Sequence, residues 1–301
     1  MLAVVLQGAN IFVTSLPHTV DFPSYGIKIY YGLSCELASN NNIFANITLD
    51  VDETASLQIF YGCTDVSRLI ITAYLNNPSY NQSFSSVFGV VDQPLQISHS
   101  TFVVTSFAKY ASGVVSYAIA PCNISLSFIY FTTQDSMSAS SVINWIHGAK
   151  AIANLTDLVV DAKIIASLFG AGLVVCIEEQ AAVNMTTVTL SADIYTRGVS
   201  AGAVGTIRTE GKSIIKNVIV TGKISALRDE FVSGLIGQAK VGTVSQTIYC
   251  VVYAEVKGWC KGGISGQNYQ NNAELGRLVI NLDNGTKCLC PKGFCKRLVD
   301  N

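Results

Sequence analysis

The sequence predicts an all-β fold, a parallel β-solenoid (β-helix) of about eight coils of ~30 residues each, with capping segments at its ends. Three observations predict it. A short glycine phrase recurs at a nearly constant interval, a second apolar segment follows the later copies at a fixed distance, and apolar and charged residues alternate within that segment. One such unit cannot bury its apolar side chains alone, whereas stacked units bury them in one continuous core.

The recurring phrase is a small residue, a glycine and two apolar residues, often followed by a second glycine. Its second position falls at residues 56, 86, 113, 142, 172, 202, 234 and 263, so successive copies lie 27 to 32 residues apart. Glycine suits a corner because it permits positive φ or close approach of neighbouring backbones. The predicted corner glycines are Gly113, Gly172, Gly202, Gly205, Gly234, Gly237, Gly263 and Gly266.

A second apolar strand is predicted in four successive copies, beginning at Leu158, Val188, Val218 and Cys250. Within each copy, a charged residue stands between a small residue and a β-branched one, and such alternation at period two is typical of a strand with one buried side. Neighbouring rungs of a parallel stack lie ~4.8 Å apart. The sequence therefore predicts an outward column of alternating sign formed by Lys163, Asp193, Lys223 and Glu255.

Composition argues against several classes of protein. The chain has 301 residues, and 19 basic residues are balanced by 20 acidic ones for a net charge of −1. This balance provides no field for phosphates, so we expect no nucleic-acid partner. The longest apolar stretch, residues 158–177, contains Asp161 and Lys163, so no transmembrane segment is predicted. Residues 1–6 are apolar but follow no basic residue, so no signal peptide is evident; a truncated gene start is the competing explanation.

Glycosylation signals favour an extracellular or cell-surface location. A sequon has physical meaning only if the chain passes through a secretory pathway; otherwise these are ordinary Asn and Thr residues in turns. The candidate sites are Asn46, Asn81, Asn123, Asn154, Asn184 and Asn284.

The cysteines are nine in number, so at least one is free or pairs between chains. Cys288, Cys290 and Cys295 crowd the C-terminal tail, where we expect a disulfide module similar to the small extracellular Cys-Pro-x-Gly-x-Cys type. A metal site is the second alternative, although three thiols need a fourth ligand and no His lies nearby. Reduced, inert thiols are the third. Cys176 and Cys250 lie in apolar strand contexts and are expected to pack as small hydrophobic residues.

Catalytic, metal and cofactor sites are not predicted. The only histidines are His18, His99 and His147, and none stands in a recognisable nucleophile arrangement. The adjacent acidic pairs, at residues 178–179 and 229–230, are interpreted as solvated surface charge. The segment from Gly202 to Gly205 lacks the full dinucleotide-binding pattern.

The units resemble GLUG-motif repeats, which are named for a Gly-Leu-apolar-Gly phrase. Ser233-Gly234-Leu235-Ile236-Gly237 is the most similar phrase, and Thr221-Gly222-Lys223-Ile224 is similar to the family's second element. The resemblance extends over residues 150–270 and fades towards residue 50. It implies a β-solenoid in surface or secreted proteins, commonly adhesins or non-catalytic stalks, with no catalytic residues.

The sequence thus predicts an N-terminal cap at 1–45, a repeat solenoid at 46–282 and a short Cys-rich tail at 283–301. The expected function is an extracellular or cell-surface adhesion or binding module without catalysis, whose partners are protein or glycan ligands on another surface. The alternatives are a β-helix polysaccharide lyase or glycoside hydrolase, with charged residues gathered on adjacent rungs, and a purely structural stalk.

Overall fold

The computed structural model describes residues 8–22, 26–51, 53–78, 82–227, 231–240, 242–258, 260–262, 265–268 and 280–281. These residues form a parallel β-solenoid of about 8 turns and contain no α-helix, which confirms the predicted fold class.

The strands follow the coil from one end to the other. The early strands are β1 (Asn10–Val13), β2 (His18–Phe22), β3 (Ile27–Leu33), β4 (Asn42–Thr48), β5 (Ala55–Phe60), β6 (Asp65–Ser67), β7 (Ile70–Asn76), β8 (Ser83–Ser86), β9 (Val90–Val91), β10 (Leu95–Ser98), β11 (Thr101–Phe107), β12 (Tyr110–Ser112) and β13 (Val115–Ala118). The central strands are β14 (Cys122–Ser140), β15 (Ile143–His147), β16 (Ile152–Ala171), β17 (Val174–Glu178), β18 (Ala182–Thr196), β19 (Val199–Ala201), β20 (Val204–Ile207) and β21 (Lys212–Ala226). The last strands are β22 (Phe231–Ser233), β23 (Ile236–Ala239), β24 (Val244–Ile248), β25 (Val251–Val252), β26 (Glu255–Lys257), β27 (Cys260–Gly262), β28 (Ser265–Asn268) and β29 (Ile280–Asn281). A short 3-10 helix spans Cys35–Leu37.

Successive turns pair in parallel and in register. The longest ladder, which we call the long face, contains β1, β4, β7 and β11, followed by the middle parts of β14 and β16, then β18, β21, β25 and β26. A separate sheet of 7 strands, the short sheet, takes one strand from each turn in the order β28, β23, β20, β17, β15, β13, β9. Side chains from all sides of the coil fill one apolar core along its length.

The predicted column of alternating charge is confirmed residue by residue. Lys163 pairs with Asp193, Asp193 with Lys223, and Lys223 with Glu255 on successive rungs of the long face. All four side chains are exposed. The flanking residues of this column, such as Ala192 and Ile194, are fully buried, as the period-two alternation predicts.

Two predicted copies of the glycine phrase are out of register. The copy at residue 56 is wrong by two residues, because Gln58 and not Ser56 pairs with Ser86, and the copy at residue 142 is wrong by one. Ser140 pairs with Ala171 and Ile143 with Val174, so Ser141 lies opposite the Gly172 corner. Val142, which was aligned with that glycine, is fully buried in the core. The interior needs an apolar side chain there, and this requirement sets the register.

The phrase glycines lie where neighbouring turns approach most closely. A Cβ at Gly172 would stand 2.2 Å from the carbonyl oxygen of Gly202, and one at Gly202 would stand 2.0 Å from that of Gly234. A Cβ at Gly113 would stand 2.2 Å from the carbonyl oxygen of Ser141, and one at Gly205 or Gly237 would stand 2.7 or 2.6 Å from a backbone oxygen. Close approach, not positive φ, therefore requires glycine at these five positions. Gly113, Gly172 and Gly202 lie at corners, whereas Gly205 and Gly237 lie inside β20 and β23, so the prediction of corners is wrong for these two. Gly263 lies outside the described residues, and Gly266 lies in β28.

At a second set of corners, just before each strand of the long face, one residue adopts the left-handed backbone conformation in successive turns. One residue per turn has φ between 50° and 56° there, and none of these residues is a glycine. Only Asp and Asn among them tolerate this conformation readily. The residues are Arg68, His99, Leu126, Asp157, Thr187, Asn217 and Tyr249.

The N-terminal region combines the repeat with a departure from it. β2 pairs with β3 in antiparallel fashion, in contrast to the parallel pairing of β1 with β4 and of β3 with β5. The parallel stack therefore extends into residues 1–45, the segment predicted as a cap. The tail predicted at 283–301 lies outside the described residues.

Replacing Thr187 by Gly should stabilise the protein. A β-branched residue in the left-handed conformation is strained by about 1–2 kcal/mol, and Gly removes this strain from the folded state. Gly also makes the unfolded chain more flexible, and this entropy offsets part of the stabilisation. We expect the free energy of unfolding to rise by about 0.5–1 kcal/mol, measured by urea denaturation. Thr189→Gly, at an exposed position two residues further along β18, is the control and should lower the free energy of unfolding by about 0.5–1 kcal/mol. A loss of stability in both variants would contradict the assignment of strain to this corner.

Candidate binding face

Exposed aromatic side chains gather on the outer side of the long face in its first five strands. The exposed fraction is 75% for Phe12, 49% for Phe128 and 47% for Tyr130. Folded proteins do not usually leave several large apolar side chains open on one continuous surface. We call the following residues the aromatic strip: Phe12, Phe44, Tyr74, Phe107, Phe128 and Tyr130.

The strand register determines the layout of the strip. Phe12 and Phe44 are direct partners on β1 and β4, and their ring centroids are 5.3 Å apart in a stacked arrangement. Tyr74 and Phe107 lie on β7 and β11 with ring centroids 5.4 Å apart. Tyr130 on β14 pairs with Val103, which is itself exposed. The register places Phe12, Phe44 and Tyr130 in one column of the long face. Phe128 lies in the column on one side of it, and Tyr74 and the half-buried Phe107 lie on the other side.

Charge divides the long face into two halves. In β1, β4, β7, β11 and the first long-face segment of β14, the alternate outward positions carry only aromatic, aliphatic, Asn and Thr side chains. From β16 onward, Asp161 and the alternating column stand among exposed apolar residues such as Val159, Tyr195 and Ile219. Arg68 and His99 stand at the left-handed corners just before β7 and β11.

The charged half is a solvated surface. Glu255 forms a salt bridge with Lys257 of its own strand, and a hydrogen bond from Lys257 lowers the pKa of Glu255. Because both groups are exposed, this pair contributes little to stability. The column of alternating charge therefore indicates the strand register but adds little to the free energy of folding.

A second aromatic cluster packs between β8 and β12 on one side and β13 and β15 of the short sheet on the other. Phe84 and Tyr110 stack with centroids 4.8 Å apart, and the Tyr110 and Trp145 rings lie 5.7 Å apart. Tyr110 and Tyr117 are buried, so these rings are packed against one another rather than presented to a ligand. This cluster is an interior contact between two faces of the coil.

His147 is held between two carboxylates. Its Nδ1 lies 3.2 Å from Glu178 Oε1, and its Nε2 lies 3.0 Å from Glu179 Oε2. Sequence reasoning treated these acids as isolated surface charge, because adjacent strand residues point to opposite sides. Glu179 instead adopts a left-handed turn with φ 53°, which brings it to the same imidazole. The repeat interval could have predicted this contact, because it places Glu178 opposite His147 on the next turn.

The other candidate catalytic groups remain apart. His18 stacks on Tyr31, and His99 is exposed at a left-handed corner. Residues 229–230 lie outside the described part of the chain. Within the described residues, no group of three or more His, Cys, Asp or Glu side chains could hold a metal ion.

The candidate glycosylation sites within the described residues fall into two environments. Asn46 is exposed on the uncharged half of the long face. Asn123, Asn154 and Asn184 are partly buried and form a ladder in which Asn154 Nδ2 donates to Asn123 Oδ1 at 2.6 Å, and Asn184 Nδ2 donates to Asn154 Oδ1 at 2.8 Å. Glycans on all three would leave from one column with ~4.8 Å between rungs, which is too close for bulky groups. Asn81 and Asn284 lie outside the described residues.

One disulfide joins neighbouring turns. It links Cys35 and Cys63, which are 28 residues apart and therefore match one repeat interval. Sequence reasoning missed this bridge because it treated the two residues as scattered, although their spacing equals the 28-residue offset between Asn42 and Ile70. Cys288, Cys290 and Cys295 lie outside the described residues. The free thiols Cys122, Cys176 and Cys250 are buried.

Among the described residues, no helix combines the length and apolar character that a membrane crossing requires. Comparisons with protein-family models, with curated proteins and with solved structures find no match to the chain.

Removing the amide of Asn154 should destabilise the coil. Asn154→Ala deletes two side-chain hydrogen bonds and should lower the free energy of unfolding by about 1–2 kcal/mol, measured by urea denaturation. Asn46→Ala removes the same group at an exposed outward position and should change it by less than about 0.5 kcal/mol. Equal effects in the two variants would show that the ladder adds nothing.

The buried thiols should resist alkylation. Burial raises the pKa of Cys122 and of Cys176 to about 12, so the thiolate is about one part in ten thousand at pH 8. We expect iodoacetamide to leave both residues unlabelled in native protein and to label both in urea, as measured by peptide mass spectrometry. Labelling at similar rates in both conditions would contradict the burial.

Proposed function

We propose that the protein is an extracellular or cell-surface adhesion module that binds its ligand on the uncharged half of the long face and has no catalytic activity. The aromatic strip is the observation that carries this proposal, because apolar rings exposed together on a rigid surface are typical of interaction sites. Repeat stacks present such surfaces over a long distance.

Two further features support this location and role. The Cys35–Cys63 disulfide is typical of proteins that fold in an oxidising compartment. The resemblance to GLUG-motif repeats, which the comparisons do not test, points to surface or secreted proteins. A purely structural stalk would need no cluster of exposed rings on one half of one face.

The enzyme alternative rests on a different part of the coil. Successive turns place four polar residues in one column at the end of the short sheet: His147, Glu178, Arg208 and Lys240. The pairing of Ile177 with Ile207, and of Ile207 with Ala239, sets this register. A glycoside hydrolase needs two carboxylates that face a shared substrate. Here Glu178 and Glu179 are both engaged with the His147 imidazole, so they favour a structural clamp.

Binding of purified protein to surfaces tests the proposal. Fluorescently labelled full-length chain, with its disulfide intact, is applied to intact cells, to immobilised extracellular-matrix proteins and to an array of neutral and charged glycans. We expect saturable binding to at least one of them, and a loss of about tenfold or more in affinity when Phe44 and Tyr130 are both changed to Ser.

Tyr195→Ser is the matched control, because Tyr195 is a 40% exposed ring on the charged half of the same face. It should bind like the original protein. Binding that is unchanged in the Phe44 and Tyr130 variant, or cleavage of a polysaccharide that is lost in Glu178→Gln, would overturn the proposal.

A further inference from the structure

The geometry points to a neutral, extended glycan as the ligand of the uncharged half of the long face. This inference rests on the proposed function and adds the chemical class of the ligand and its direction on the surface. A sugar ring presents an apolar face of C–H groups and an edge of hydroxyls. It therefore needs a flat aromatic ring beside neutral hydrogen-bonding groups.

The uncharged half offers this combination within one set of ladders. Tyr74 pairs with Asn46 on one side and with Thr105 on the other, so an aromatic ring stands between an amide and a hydroxyl on adjacent rungs. Phe44 pairs with Thr72 in the same way. Amides and hydroxyls can both donate to and accept from sugar hydroxyls.

The absence of charge at the outward positions selects among polymers. A polyanion such as a uronate needs Lys or Arg at the contact surface, and the outward positions of β1, β4, β7, β11 and residues 128–132 contain neither. Arg68 and His99 stand at the corner beside this surface rather than on it. An acidic or basic protein partner would find matching charges only on the other half, beyond β14.

The length of the aromatic strip favours a polysaccharide rather than a single sugar. The strip extends over five rungs at ~4.8 Å, or about 19 Å, which is long enough for several consecutive sugars. Phe12 and Phe44 lie at one end and Phe128 and Tyr130 at the other, with Tyr74 and Phe107 between them. A polymer that runs along the solenoid axis contacts rings at both ends, so short fragments should bind more weakly than long ones.

The experiment compares neutral polysaccharides with anionic ones. The probes are a soluble neutral β-glucan, a neutral mannan, polygalacturonate and heparin, titrated into full-length protein by isothermal calorimetry. The protein is produced without N-glycans, because a glycan on Asn46 would cover the surface. We expect a neutral polymer to bind with an affinity that changes less than about twofold between 50 mM and 500 mM salt.

Three variants locate the site. The double change Phe128→Ala with Tyr130→Ala should weaken binding at least about tenfold, whereas Tyr130→Phe should keep it within about twofold. Tyr195→Ala on the charged half should bind normally. Thermal unfolding of each variant confirms that the coil is intact.

The outcomes separate this inference from the proposed function. Binding only to polygalacturonate, heparin or matrix proteins that is lost in the Phe128 and Tyr130 variant would overturn the neutral-glycan inference and leave the binding module standing. Neutral-glycan binding that survives this variant would overturn the assignment of the surface. No binding to any cell, protein or glycan would overturn both.

Discussion

Backbone hydrogen bonding between turns of nearly constant length is the constraint on which the rest of the structure depends. Where a turn meets the next turn in parallel, residues about thirty positions apart come into one column, as Leu158 and Val188 do. A column then has one environment along its length, and an unsuitable side chain disturbs the turns on both sides. This explains the small residues at the phrase corners, where a Cβ at Gly202 would overlap a backbone oxygen of the next turn.

The same constraint explains how function separates from folding in this chain. Inward positions are apolar because they close the core, and the register makes their pattern strict. Outward positions on the long face have no such requirement, so they differ between its two halves: the early turns carry no charge there, and the later turns carry the alternating charges among exposed apolar residues. The aromatic strip lies outside the core, so the packing of the interior does not account for it.

Several polar contacts also depend on the repeat interval. The amides of Asn154 and Asn184, the carboxylate of Glu178 and the thiols of Cys35 and Cys63 all meet partners one turn away. A sequon or a cysteine in such a fold thus has two possible meanings. One is the modification or module that its motif suggests, and the other is a ladder contact that its spacing suggests.

The amino-acid sequence by itself determined the all-β class, the period and the order of Lys163, Asp193, Lys223 and Glu255, because period-two alternation and a constant interval are properties of the chain alone. It did not determine the left-handed corners at Leu126 or Tyr249, since such residues show no local preference for that conformation. The contacts of His147 and the joining of early rings into one strip were decided only by the tertiary structure. Phe44 and Tyr130 are 86 residues apart, and only the accumulated register of several turns places them on the same exposed surface.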